Sequence, residues 1–212
     1  MRVLIACEES QTVCKAFRAR GHEAYSNDIQ DCSGGHPEWH LKMDAMLALR
    51  WDKWDLVIAH PPCTRLANSG VRWLKERDLW KELAIAVIFF RAFIEYGKLG
   101  GQIAIENPIP HKYAVDGFFY LSESVSPGIG KYNQIIQPWQ FGHGETKATC
   151  LWLFGVPELI PTNIVIGRES RIHKMAPTLE RSKLRSVTYK GIANAMAEQW
   201  SDDLTKNNGV QD

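Results

Sequence analysis

The chain has 212 residues, 25 basic against 24 acidic side chains and 45% hydrophobic content. That is enough length and apolar mass for one well-cored domain, or a domain with a small appendage, and it excludes a disordered tail or a fibre. A formal charge of +1 excludes a protein that grips nucleic acid by bulk electrostatics alone, because such proteins carry a basic footprint over the whole domain; any nucleic-acid contact has to be local. The five cysteines, Cys7, Cys14, Cys32, Cys63 and Cys150, are irregularly spaced, and Met1-Arg-Val-Leu-Ile carries no signal-peptide pattern. The expectation is a cytoplasmic protein with reduced thiols. The longest apolar run, Leu83 to Phe90, is interrupted at Arg91, far short of the roughly 20 residues of a membrane span.

Taken in order, the N-terminal half alternates short apolar runs with amphipathic segments, the pattern of a parallel sheet with crossover helices. Arg2 to Cys7 is a predicted strand, Thr12 to Arg20 a helix closed by Gly21, and His22 to Asn27 a second strand ending at Asp28. Residues 31–40 are rich in Gly, Pro and polar side chains and are expected to be loop. Leu41 to Asp44 follows as a short strand and Ala45 to Trp51 as a short helix. Asp55 to Ala59 is a strand running directly into His60-Pro61-Pro62-Cys63. Apolar spacing predicts one helix from about Val71 to Tyr96, stopped by Gly97. Gln102 to Glu106 is a strand that empties into Asn107-Pro108. Ile135-Ile136 and Ala148 to Phe154 flank the turn Gly142-His-Gly144 as an antiparallel pair. From Gly155 to about Arg185 the chain is Pro-rich and basic without a period, and a last helix runs from about Tyr189 to Leu204. The expected organisation is a core over 1–154, a short basic region over 155–188, a helix over 189–205 that completes the core, and a frayed tail over 206–212.

In open parallel sheets ligands bind outside the carboxyl ends of the strands. Here those ends carry Glu8-Glu9-Ser10, Asp28, Asp44, His60 to Cys63 and Glu106-Asn107. Two prolines fix the backbone after a strand and present Cys63 at the sheet edge, which suits a thiol that meets a substrate; a small buried residue in a rigid turn is the alternative. His60 beside it can lower the thiol pKa as imidazolium or orient a substrate. Asp28 has the placement of an acid that bonds ribose hydroxyls, and Asp44 that of one that bonds an adenine amino group, although a strand-end Asp is equally a turn-former. Cys32, His36 and His40 sit within one loop, but their spacing suits neither a zinc finger nor a helical metal face, so no metal is expected. Arg168, Arg171, His173, Lys174, Arg181, Lys183, Arg185 and Lys190 form either a solvated basic loop or a phosphate clamp. Trp139, Phe141 and Trp152 are either core residues or stacking platforms.

Three motifs in order resemble those of the DNA cytosine-5 methyltransferases, most closely a short, phage-type branch. Asp55-Leu-Val-Ile-Ala-His-Pro-Pro-Cys63 is similar to the Pro-Cys motif, Ile105-Glu-Asn107 to its Glu-Asn partner, and Tyr189-Lys-Gly-Ile-Ala-Asn-Ala195 to the closing Gly-Asn-Ala motif. Gln137, Gln140 and Lys147 stand where the family carries a Gln-x-Arg-x-Arg strand. The resemblance implies an α/β, Rossmann-like S-adenosylmethionine methyltransferase fold, mostly parallel with an antiparallel C-terminal pair. It implies Cys63 as the nucleophile at cytosine C6, Glu106 as its partner near N3, and Asn107 as a brace. It also implies a cofactor set of Glu8, Ser10, Asp28, Ile29, Asp44, Ala45, Pro61, Asn194 and Ala195, and a DNA set of His60, Lys147, Arg181, Arg185 and Lys190. The setting it implies is the cytoplasm of a bacterium or a phage-infected host.

Two features depart from the family. Glu8-Glu9-Ser10 replaces the Phe-x-Gly-x-Gly loop, and only the segment 155–188 stands where a large target-recognition domain is normally inserted. The short segment leaves open a free cytosine nucleotide as substrate, or a protein partner that supplies sequence specificity. The changed loop leaves open a catalytically silent, methylase-derived binding protein.

Overall fold

The computed structural model describes residues 1–120, 123–125, 127–171 and 186–208. Seven strands form one sheet in the order β3-β2-β1-β4-β5-β9-β8, and β6 and β7 form a separate ribbon. In chain order the strands are β1 (Arg2–Ala6), β2 (Glu23–Asp28), β3 (His40–Lys42), β4 (Leu56–Ala59), β5 (Ile103–Pro108), β6 (Phe118–Tyr120), β7 (Glu123–Val125), β8 (Gln134–Ile136) and β9 (Thr149–Phe154). The helices are α1 (Thr12–Ala19), α2 (Ala45–Trp51), α3 (Trp73–Glu76), α4 (Trp80–Lys98), α5 (Lys112–Asp116) and α6 (Lys190–Asn208). Strands β1 to β5 are mutually parallel, and β9 runs antiparallel to both β5 and β8. The fold is therefore α/β and Rossmann-like, with the mostly parallel sheet and antiparallel C-terminal pair that the sequence predicts.

The apolar runs become strands because both faces of the sheet are covered. Side chains alternate along β1, so Leu4 and Ala6 enter the core under α2 and α4, while Val3 and Ile5 enter the core under α1 and α6. Phe90, Phe93 and Trp152 fill the first core; Phe17, Met196 and Trp200 fill the second. Each fully buried side chain of this size contributes about 1.5–3 kcal/mol. The chain lays β2 and β3 on one side of β1 and then returns to place β4 and β5 on the other. That reversal puts a crevice between the carboxyl ends of β1 and β4, where open α/β sheets bind ligands.

The single helix expected over Val71 to Tyr96 is two, α3 and α4, separated at Asp78, which takes φ 47°. Aspartate tolerates this left-handed conformation better than most residues. The apolar period runs through the break because Leu74 and Leu83 enter the same core on either side of it. The last helix is also longer than expected, reaching Asn208 rather than ending by residue 205. Its N-terminal half packs on α1, and Trp200 Nε1 donates to the Pro157 carbonyl at 2.9 Å. Arg181 and Arg185, with His173, Lys174 and Lys183, lie outside the described residues, as do residues 209–212. Among the described residues no helix is long and apolar enough to cross a membrane.

Candidate active site

Strand β4 delivers His60 to the crevice. The His60 backbone N–H donates to the Ala6 carbonyl at 2.9 Å, so the loop leaves the sheet in register with the end of β1. Pro61 is buried, Pro62 exposed and Cys63 half-buried. The Cys63 carbonyl accepts from Leu66 N at 3.0 Å and Ala67 N at 2.9 Å. Two proline rings on one side and this turn on the other fix the backbone that carries the thiol.

Strand β5 delivers the partners. His60 Nδ1 lies 3.1 Å from Glu106 Oε2, and Asn107 Nδ2 donates to the Pro61 carbonyl at 3.3 Å. These two contacts tie the Pro-Pro-Cys loop to the end of the neighbouring strand. The His60 and Glu106 side chains are only 10% and 15% exposed, so the pair meets in a poorly hydrated setting. Burial alone would raise the Glu106 carboxyl, but the hydrogen bond and charge of His60, with help from Lys147 and Thr149, hold it below the ordinary carboxyl range. His60 Nε2 and Asn107 Oδ1 are both buried without a hydrogen-bond partner. Native proteins rarely leave buried polar atoms so, and such atoms mark places where a ligand can complete the network.

Glu106 opens onto a small cleft shared with Lys147, Thr149, Tyr189 and Ile192, which joins it to the start of α6. The closing motif is anchored from below. Gly191 N donates to His143 Nε2 at 2.9 Å, and a Cβ at Gly191 would collide with the Phe141 carbonyl, so this turn of helix accepts only glycine. Glu145 accepts from Tyr189 Oη at 2.6 Å through one carboxylate oxygen and from Arg171 Nη2 at 2.6 Å through the other. Lys190 and Asn194 are exposed at this end, whereas Ala195 is sealed in the core. Gln137 and Gln140 cap a short helical turn over Pro138–Gln140, where Gln137 N donates to Gln140 Oε1 at 2.6 Å, and Gln137 Oε1 accepts from Lys147 N at 3.0 Å. They are structural, and Lys147 is the member of that group that acts on Glu106. Phe141 and Trp152 are core residues; Trp139 lies under the Arg168 guanidinium at 3.9 Å.

The expected cofactor residues divide into two groups. Asp28 and Asp44 both act electrostatically on the Cys7 thiol, which burial and these two carboxylates push up to about 12. Asp28 Oδ1 accepts from Gln30 N at 3.0 Å and Asp44 Oδ1 from Met46 N at 2.8 Å, so each also shapes its local turn or cap. Beside Asp28, Ile29 is 72% exposed, an apolar side chain standing free at the strand ends. Ser10 is half-buried beside Glu8 and Thr12, and Pro61 meets the site through its carbonyl.

Glu8, Ala45 and Ala195 are buried. The two alanines lie in the core. Glu8 is 5% exposed, and its carboxylate accepts from Val13 N at 2.7 Å and Cys14 N at 3.2 Å. It caps α1 from within, a role hidden from sequence because its partners are backbone groups. Gln11 is a further residue that sequence reasoning missed. Fully buried at φ 58°, it donates to the His36 carbonyl at 2.7 Å and accepts from His36 N at 3.0 Å, so it pins the loop over residues 31–40. A Cβ at Gly34 would lie 2.5 Å from the Gln11 side chain, which is why the loop carries glycine there. Within this loop His36 stacks on Trp39 at 3.8 Å and His40 Nδ1 meets Ser26 Oγ at 2.9 Å. Among the described residues no three His, Cys, Asp or Glu side chains gather as a metal site.

No model of a known protein family matches the chain, and comparison with curated proteins gives no match either.

Proposed function

We propose that the chain is an S-adenosylmethionine-dependent methyltransferase that forms 5-methylcytosine in DNA through a covalent bond between Cys63 and C6 of the base. The observation that carries this reading is the pair of contacts, His60 to Glu106 and Asn107 to the Pro61 carbonyl, that locks the Cys63 loop to the Glu-Asn strand end at the switch point of the sheet. C5 of cytosine is a poor nucleophile until C6 is saturated, so the chemistry needs a thiol and a group that bonds N3 on the same edge. Cys63 supplies the first and Glu106 the second. The antiparallel β9 beside β5 fits the methyltransferase form of the Rossmann-like sheet that the sequence motifs imply.

The crevice suits an adenosyl sulfonium better than a phosphorylated nucleotide. A dinucleotide would place its phosphates on the α1 N-terminus, but Glu8 already occupies the Val13 and Cys14 N–H groups. Asp28, Ile29 and Asp44 would hold the adenosine moiety through ribose hydroxyls, a ring face and a polar edge, with carboxylates that favour a positively charged ligand. When bound, S-adenosylmethionine supplies the electrophilic methyl group. The remaining chemistry belongs to the chain: Cys63 adds to C6, Glu106 bonds N3, Asn107 braces the loop, and loss of the C5 proton expels the thiolate. In duplex DNA the base has to leave the stack, at a cost of a few kcal/mol. Lys147 lines this cleft, and Lys190 is exposed beside Tyr189, which lines it too.

A second reading keeps the chemistry on a free cytosine nucleotide. It is favoured by the described part of the segment after β9, which runs back along the molecule through bridges of Asn163 to Phe141 and Glu169 to Glu145 and builds no separate domain. Incubating the protein and tritiated S-adenosylmethionine with dCMP, single-stranded DNA and duplex DNA separates the two. Label in DNA supports the proposal, label in dCMP alone replaces it with the second reading, and no label in any acceptor refutes both.

A further inference from the structure

We propose that the outer face of α4 pairs two copies of this chain, antiparallel about a two-fold axis at Ile88, whatever reaction the chain performs. Helix α4 meets the core through Leu83, Val87, Phe90 and Ile94. The opposite side of a surface helix is ordinarily polar or charged. Here it carries Ile85, Ile88, Ala92 and Leu99 at helical spacing, and Ile85, Ile88 and Leu99 are 59%, 61% and 88% exposed. A helix apolar on both sides has two faces to bury, and the fold of one chain covers one of them. On the same side of the sheet α2 leaves Leu47 and Trp51 exposed as well, so the apolar surface is not confined to one helix.

The charges on this face choose its occupant. Lys81 and Glu95 are exposed towards its two ends and bracket Ile85, Ile88 and Ala92. A lipid surface calls for a basic rim, and nucleic acid for a basic patch. One cation and one carboxylate at opposite ends instead match a copy of the same helix laid antiparallel. An axis at Ile88 sets that side chain against itself, and sets residues equally far before and after it opposite each other. Lys81 lies seven residues before Ile88 and Glu95 seven after, so each copy's Lys81 meets the partner's Glu95 and two ion pairs form. Ala84 lies four before and Ala92 four after, so small side chains meet beside the axis and the helices can approach closely. Ile85 falls opposite the partner's Arg91, whose alkyl stem can cover it. Lys98 Nζ donates to Glu95 Oε1 at 2.9 Å, and the second oxygen of that carboxylate serves the partner's Lys81.

Sedimentation equilibrium of the full chain over roughly 1–100 µM tests the pairing. Wild type should reach the mass of two chains. Ile88→Glu places two carboxylates face to face on the axis and should weaken association by about 100-fold. Lys81→Glu and Glu95→Lys each set like charges opposite one another and should weaken it by about 10-fold. Combining the two reversals restores opposite charges and should return association to within about 3-fold of wild type. Wild type that stays monomeric throughout overturns the proposal and leaves the face to a different protein. A dimer indifferent to Ile88→Glu overturns the choice of face, and single reversals that their combination does not rescue overturn the antiparallel axis. Should Ile88→Glu fail to fold, the reversals decide alone, because Lys81 and Glu95 are exposed and outside the core.

Discussion

The two loops that flank the switch point handle buried polar groups in opposite ways. After β1, Glu8 and Gln11 spend their capacity internally, on the Val13 and Cys14 N–H groups and on the His36 backbone. After β4 and β5, His60 and Asn107 each satisfy one atom and leave the other, Nε2 and Oδ1, buried and unpartnered. The first loop is a closed structural joint, and the second is an open one. An incomplete buried network costs stability that a purely structural joint would avoid, so the open joint is where we propose the substrate chemistry.

Substitutions at the open joint should remove chemistry and spare the fold, and those at closed joints should do the reverse. The largest effect is expected for Cys63→Ser: complete loss of methyl transfer, with stability in urea unfolding changed by less than about 1 kcal/mol. Gly191→Ala drives a methyl group into the Phe141 carbonyl and should cost about 3 kcal/mol by the same unfolding assay. Glu8→Ala strands two buried N–H groups and should cost about 2 kcal/mol.

The two carboxylates should also respond to pH with opposite signs. Glu106 is held below the ordinary range, so its contribution is present above that range and lost as pH falls through its folded value. Glu8 is raised by burial, against the lowering effects of His60, the two backbone N–H groups and Ser10, so its contribution is present at low pH and lost as pH rises through its folded value. Stability measured below about pH 5 should therefore rise less steeply with pH in Glu106→Gln than in wild type, and stability measured above about pH 4 should fall less steeply with rising pH in Glu8→Ala. The smallest effect is expected for Lys147→Met, which removes a charge that helps hold Glu106 ionised. It should change stability by less than about 1 kcal/mol and move the Glu106 titration to higher pH.

The open joint was legible in the sequence to the extent that its parts follow strands. Asp55 to Ala59 and Gln102 to Glu106 read as neighbouring buried strands, so Cys63, Glu106 and Asn107 had to emerge on one edge. The His60 to Glu106 contact was not legible, because it depends on which way an imidazole turns after β4. The closed joints were invisible for a different reason. Glu8 and Gln11 bond backbone atoms, and a backbone partner leaves no trace in residue type. Glu8 therefore reads as a cofactor acid, and its bonds to the Val13 and Cys14 N–H groups emerge only from the structure. The long helix failed through its own regularity, since Leu74 and Leu83 keep the apolar period on both sides of the turn at Asp78. Gln137 and Gln140 suggested a strand motif and instead cap a short turn, where proline at its first position sets the backbone.

We propose that Cys63 forms a bond to cytosine with the help of Glu106. Intact-mass measurement after incubation with S-adenosylmethionine and DNA carrying 5-fluorocytosine tests it directly, because fluorine at C5 blocks the proton loss that would release the enzyme. A covalent protein–DNA species with wild type, absent with Cys63→Ser and strongly reduced with Glu106→Gln, is the predicted result. Wild-type protein that forms no such species, or a species that survives Cys63→Ser, would contradict it.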